Sequence, residues 1–250
     1  LAEETGDIRL IGQWTLYHSL RELVRWQKRS HYPIHMSVNL SSTQFKERDL
    51  VDRVEGVLRA LRLDGTSVKL ELTETAIMQD PVQAIAVMER LREQGVSLSI
   101  DDFGTGYSSL SYLKEFPVQT VKIDKSFVEG IGVNVNNQEI IKAIISMAKN
   151  LHMETLAEGV ETQDQLDFLM QEGCDHVQGY YFSPPVESAT FAEYLEHDAV
   201  LLGGRWTPED GNGNGAATAA GRPSASGTAV MPEPQHDEAE GDSYTELEPL

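Results

Sequence analysis

Cysteine is all but missing from this 250-residue chain, where Cys174 stands alone. A single thiol excludes an intramolecular disulfide and any multi-thiolate metal site, and it reads as a small buried apolar residue. Basic residues are scarce too: 20 Lys and Arg face 40 Asp and Glu, a formal charge of −20. That deficit excludes broad binding to nucleic-acid polymers or anionic membrane surfaces, which need a basic face. It still admits a small phosphate ligand held through metal ions, because a bound cation reverses the local field. No run approaches 18 apolar residues, and the amino terminus has no basic-then-apolar leader. The expectation is a cytoplasmic segment without membrane contact of its own, compatible with a membrane anchor upstream in a longer parent. Neither a GxGxxG nor a P-loop pattern follows any candidate strand, so the usual dinucleotide and NTP fingerprints are absent.

What is present is an ordinary globular composition, 40% hydrophobic and 24% charged, long enough to bury a sizeable core. Apolar residues from Ile8 to Trp26 recur at helical spacing, with Arg25, Lys28 and Arg29 near the end, predicting a helix over 8–30. A regular alternation follows. Strands are expected at 34–40, 68–72, 97–101, 120–124, 155–158 and 176–181. Helices are expected at 43–61, 81–94, 108–114, 136–151, 162–172 and 188–196. Pro81 suits a first helical turn and Gly95 suits a helix stop.

Six strands, each followed by a helix, imply a parallel sheet with right-handed crossovers. Polar residues gather at the carboxyl end of every strand, where a (β/α)₈ barrel of the TIM type carries its chemistry. Six is two short of eight, and no strand precedes the first helix. The expected fold is thus an α/β barrel domain over 1–202, incomplete at its amino terminus, with six βα units and roughly two strands upstream. Residues 203–250 change character: they are rich in Gly, Ala, Pro and Ser, with nine acids against Arg205 and Arg222. Such a stretch buries too little to offset its ordering entropy and reads as a disordered acidic tail.

The chain is organised around 97–107, SLSIDDFGTGY. Asp101 and Asp102 fall at a strand end, before a loop with two glycines, Phe103-Gly104-Thr105-Gly106. Adjacent carboxylates repel and are costly to desolvate without a cation between them. A solvated Asp-Asp turn is the plainer alternative for the dipeptide alone. The other strand ends carry Asn39, Glu71, Glu74, Lys122, Glu158 and Gln178. Each has a dull explanation singly, as a turn residue, a solvated acid or a surface lysine. Together, at one barrel mouth, so many carboxylates would be strongly destabilising unless compensated. Oxygen donors with one amide and no histidine or thiolate suit Mg²⁺ or Mn²⁺, and two such ions beside a lysine suit phosphodiester hydrolysis.

Seven ordered stretches resemble the EAL family of bacterial cyclic-di-GMP phosphodiesterases over about residues 1–197. They are LAEETG at 1–6, SVNLSSTQF at 37–45, LELTET at 70–75, DDFGTGYSSLSYLK at 101–114, VKIDKSFV at 121–128, TLAEGVET at 155–162 and QGYYFSPP at 178–185. The resemblance implies a modified (β/α)₈ barrel whose first strand is antiparallel to the rest, and hydrolysis of cyclic di-GMP to linear pGpG with two Mg²⁺ or Mn²⁺ ions. It implies Asn39, Glu71, Asp101, Asp102 and Glu158 as metal ligands, with Asp101 shared. Lys122 would stabilise charge at the scissile phosphate, Glu158 would act as general base, and Gln178 would orient the water. Glu74 would anchor the mobile loop Phe103–Gly106. A homodimer formed through the barrel and an upstream regulatory domain also belong to what the family implies.

Two departures count. The Glu-Ala-Leu motif that names the family, whose glutamate ligates a metal, does not occur in this chain. The missing ligand and the two missing strands read as one truncation, so the intact protein is expected to be an enzyme and this segment alone to be inactive. Pro184 also replaces the Lys or Arg usual before a proline in that last motif. The alternative is a catalytically inactive module that senses cyclic di-GMP or binds a partner, and the full set of acids counts against it. A third reading is a barrel metalloenzyme acting on another phosphate ester.

Overall fold

The computed structural model describes residues 2–30, 32–106 and 110–196. The acidic stretch 203–250 and residues 107–109 of the loop motif lie outside the described residues. The described elements open with α1 (Ala2–Thr5) and the long helix α2 (Ile8–Gln27), then β1 (Met36–Leu40). Next come α3 (Ser42–Phe45), α4 (Leu50–Leu61), β2 (Val68–Thr73), α5 (Glu74–Met78), α6 (Pro81–Glu93) and β3 (Ser97–Phe103). The remainder is α7 (Leu110–Leu113), β4 (Thr120–Ile123), α8 (Lys125–Val128), α9 (Val135–Asn150), β5 (Glu154–Ala157), α10 (Gln163–Glu172), β6 (His176–Val177) and α11 (Ser188–Glu196).

All five neighbouring strand pairs are parallel, and the sheet order β1 to β6 follows chain order. A doubly wound sheet reverses direction at a switch point, whereas this one never does. Crossovers of one hand then put every helix on the same face, as in a (β/α)₈ barrel. The register shows how the two faces differ. Val38 pairs with Leu70 and Leu70 with Leu98, while Ile100 pairs with Val121, an aliphatic layer almost wholly buried against the helices. Asn39 pairs with Glu71, Glu71 with Ser99, and Ser99 with Thr120. Because side chains alternate along a strand, this polar layer faces the other way. Fully burying one Leu or Ile of the aliphatic layer stabilises by about 1.5–3 kcal/mol.

Several boundaries differ from the periodicity reading, each for a local reason. The helix expected at 43–61 is two. Ser41 and Gln44 form a capping box that starts α3, and Lys46–Asp49 then turns before α4. Arg53 ties that turn to α4 through Glu47 and through Asp49 at 2.8 Å. The first helix ends at Gln27 rather than 30. Three short helices were not expected: α1, then α5, which starts on the side chain of Thr73, and α8, which starts on that of Asp124. β3 runs on to Phe103 rather than ending at 101, so Asp101 and Asp102 both lie inside the strand rather than at its end. β6 covers 176–177 instead of 176–181. Residues 178–181 instead bond to the loop after β5, through Val160 N to Gln178 O at 3.0 Å and Tyr181 N to Val160 O at 2.9 Å.

Candidate metal centre and active site

The side chains singled out above sit where local chemistry ends a strand and begins the next turn. Asn39, Glu71 and Lys122 each lie two residues before a cap: Ser41, Thr73 and Asp124, whose side chains accept from Gln44 N, Ala76 N and Ser126 N. The cap fixes the chain direction just past the strand and so fixes the last strand residues. After β3 the turn comes from Gly104 at φ +95°, where a Cβ would press within 3.0 Å of the Phe127 ring. After β5 it comes from Gly159 at φ +72°. Each of these strand ends thus brings polar side chains to the same end of the sheet, β3 bringing both Asp101 and Asp102.

Lys122 is the hub. Its ammonium pairs with Glu71 of β2, with Asp101 Oδ1 of β3 at 2.9 Å, and with Glu158 Oε1 just past β5 at 2.7 Å. The Lys122 side chain is only 5% exposed. Burial opposes its charge, but the three carboxylates outweigh that penalty and hold the ammonium far above its ordinary pKa. Lys122 is a fixed cation at any working pH.

Asp101, Asp102 and Glu158 form a second grouping. One carboxylate oxygen from each lies within 4.8 Å of the others. Asp102 adopts φ +54°, the left-handed region that a β-carbon disfavours. Partial burial raises its pKa, and repulsion from Asp101 and Asp124 adds to the rise. Burial also raises that of Glu158, with Asp101 adding and Lys122 opposing. Two acids pushed toward their neutral forms beside a third, at a strained backbone position, mark a spot short of positive charge. An oxygen-only donor set of this spacing fits a hard divalent cation.

The other expected residues divide. Glu71 reaches the hub through Lys122 but stands outside the trio. Asn39 is exposed and sits beside Glu71 in the β1–β2 register. Gln178 follows β6 directly; its backbone N–H donates to Ala157 O at 2.8 Å, and its side-chain Oε1 is buried without a hydrogen-bond partner. Glu74 is 2% exposed and accepts from Gly104 N at 3.0 Å through Oε2. A Cβ on Gly106 would approach Glu74 Oε1 to 2.7 Å, so the loop backbone packs directly on this carboxylate. Thr105 closes the turn by donating to Asp102 O at 2.8 Å. Phe103 is buried at the strand end.

Sequence reasoning passed over Lys69 and Ser99. Lys69 Nζ donates to Thr120 Oγ1 at 2.9 Å, and burial lowers its pKa. Ser99 Oγ is fully buried without a partner, in register between Glu71 and Thr120. Both lie on the polar face, and their period-two spacing from Glu71 and Asp101 was the available signal. A separate concavity of about 520 Å³, bordered by Trp14, His18, Arg21 and Trp26, lies between α2 and α11. None of the strand-end acids lines it.

The fold and rim define a parallel α/β domain of barrel type with an acidic, oxygen-only centre around a buried lysine. The chain belongs to the EAL domain family, whose profile matches residues 1–185. It is 44% identical over 195 residues to cyclic di-GMP phosphodiesterase NbdA of Pseudomonas aeruginosa, covering 78% of this chain and 25% of that protein. It is 39% identical over 186 residues to the bifunctional diguanylate cyclase/cyclic di-GMP phosphodiesterase MucR of the same organism, covering 74% and 27%. The chain thus spans about a quarter of the length of these curated relatives. Among solved structures, the PaMucR phosphodiesterase complex with c-di-GMP superposes with a TM-score of 0.75 at 38% identity, over 76% of this chain and 77% of that one. The EAL domain of Mycobacterium smegmatis DcpA gives 0.72 at 36%, over 75% and 84%.

Proposed function

We propose that this chain is the greater part of a metal-dependent phosphodiesterase domain that opens cyclic di-GMP to linear pGpG. The observation that carries the reading is the arrangement of Asp101, Asp102 and Glu158 against Lys122 at one end of a parallel sheet. Family membership and relatives named as phosphodiesterases of this substrate point the same way.

Asp101, Asp102 and Glu158 would hold divalent cations, with Glu71 and Asn39 completing the donor set from β2 and β1. Bound Mg²⁺ or Mn²⁺ would supply Lewis-acid polarisation of the phosphate and a more acidic water. Lys122, charged throughout, offsets negative charge that builds on the phosphate oxygens as the phosphorus–oxygen bond breaks. Glu158, beside Lys122 and the Asp pair, would be the proton acceptor for the attacking water. Gln178 presents its buried Oε1 to position that water. Glu74 holds the Phe103–Gly106 loop, whose glycines permit movement as substrate enters. The domain works within a longer protein with upstream input and as a homodimer.

The experiment is a substrate panel on the intact protein with Mn²⁺ and with Mg²⁺, read by chromatography of the nucleotide products. Conversion of cyclic di-GMP to pGpG, with other phosphodiesters left intact, is expected. A second reading is a module that binds cyclic di-GMP without turnover. Saturable binding with no product in either metal would replace the first reading by the second.

A further inference from the structure

The two groupings at the rim overlap. Asp101 and Glu158 belong both to the carboxylate trio and to the contacts of Lys122. Lys122 therefore already neutralises two of the three acids that would hold a divalent cation. Its third partner, Glu71, lies outside the trio, on β2. An ammonium on a flexible four-carbon stem can lean toward one carboxylate while releasing others. Two cations drawing on the same carboxylates repel each other and compete for them.

We infer that Lys122 is a built-in counter-cation: it holds the acidic rim together and competes with divalent metal for Asp101 and Glu158, thereby setting the metal affinity. The inference rests on the metal-binding part of the proposed function and adds a role to Lys122 separate from any contact with phosphate. Glu71 contacts the ammonium through Oε2, so it can keep hold of Lys122 while its other oxygen joins the donor set when Asp101 and Glu158 turn to metal. This arrangement keeps the fold intact at low metal concentration, where three clustered carboxylates alone would repel. The same arrangement keeps metal binding weak enough to be reversible.

Calorimetric Mn²⁺ titration and thermal unfolding with and without Mn²⁺, on this chain and its Lys122→Met and Lys122→Arg variants, test the inference without any assay of turnover. Lys122→Met is expected to melt several degrees lower in chelator, to bind Mn²⁺ at least tenfold tighter, and to gain more from Mn²⁺ in melting temperature. Lys122→Arg keeps the charge and is expected within about threefold of the parent affinity. Should the Met variant unfold in chelator, refolding on addition of Mn²⁺ supports the inference and failure to refold overturns it. Equal or weaker Mn²⁺ affinity in a folded Met variant overturns the inference and leaves the metal site standing. Absence of Mn²⁺ binding in all three proteins overturns the metal reading itself and the inference with it.

Discussion

Lys122 Nζ stands 2.7 Å from Glu158 Oε1, so one ammonium joins the middle strand of the rim to the loop after β5. With Asp101 at 2.9 Å and Glu71 also in contact, one cation faces three acids. Removing the cation and removing one acid are then unequal changes. Lys122→Met leaves three clustered carboxylates without their counter-charge and is expected to cost about 3–5 kcal/mol in the absence of metal. Glu71→Gln leaves the ammonium two carboxylates and a neutral acceptor, and is expected to cost about 1 kcal/mol. Urea unfolding in chelator measures both, and equal losses would contradict the hub.

The raised pKa values of Asp102 and Glu158 predict opposite pH trends for metal binding and for stability. Metal takes the deprotonated carboxylates, so Mn²⁺ affinity should climb with pH from the ordinary carboxylate range and level off above the raised values. In the absence of metal, the folded state binds these two protons more tightly than the unfolded state does. The contribution of these groups to stability is therefore greatest at acid pH and falls as pH rises through the same window. Titrations and melts at closely spaced pH values check both slopes. Asp102→Asn should flatten part of each.

The loop after β3 depends on the contact between Glu74 and Gly104 N. Gly106→Ala would thrust a methyl group onto Glu74 Oε1, at 2.7 Å, and displace that carboxylate. Glu74→Gln keeps the shape but weakens a charge-assisted bond, for a loss of about 1–2 kcal/mol locally. Hydrogen exchange at the Gly104 amide should quicken in both variants, more in Gly106→Ala. Unchanged exchange would show that the loop is held by something else.

Much of this was legible in the sequence, and the reasons are specific. Strands such as 68–73 and 97–103 carry long aliphatic side chains between polar ones, so existence and parallel pairing followed from pattern alone. The strand-end residues were legible for the same cause, since a parallel sheet aligns carboxyl ends. Short helices α5 and α8 were not, because four or five residues hold no periodicity; only the caps Thr73 and Asp124 announce them. The true end of β6 was hidden because the pairing that replaces it, between Val160 and residues 178–181, is long-range. Least legible was the sharing of acids: the sequence places Glu71, Asp101 and Glu158 on one rim but not around one ammonium.

Caps placed two residues beyond site residues should couple stability to the rim. Asp124→Ala removes the acceptor for Ser126 N and is expected to cost about 0.5–2 kcal/mol. Because Asp124 also repels Asp102, the same change should lower the pKa of Asp102. Urea unfolding reads the first effect and carboxylate titration by NMR the second. A pKa of Asp102 left where it was would remove Asp124 from the electrostatics of the site.

The central claim is that separate strands gather acids which a divalent cation can bridge. Mn²⁺ binding followed by electron paramagnetic resonance, on this chain and on its Asp101→Asn variant, tests it most directly. Saturable loss of the free-ion signal in the parent as protein is added, with binding at least a hundredfold weaker in the variant, is the predicted result. A parent that leaves the Mn²⁺ signal untouched, or a variant that binds as well as the parent, would contradict the account.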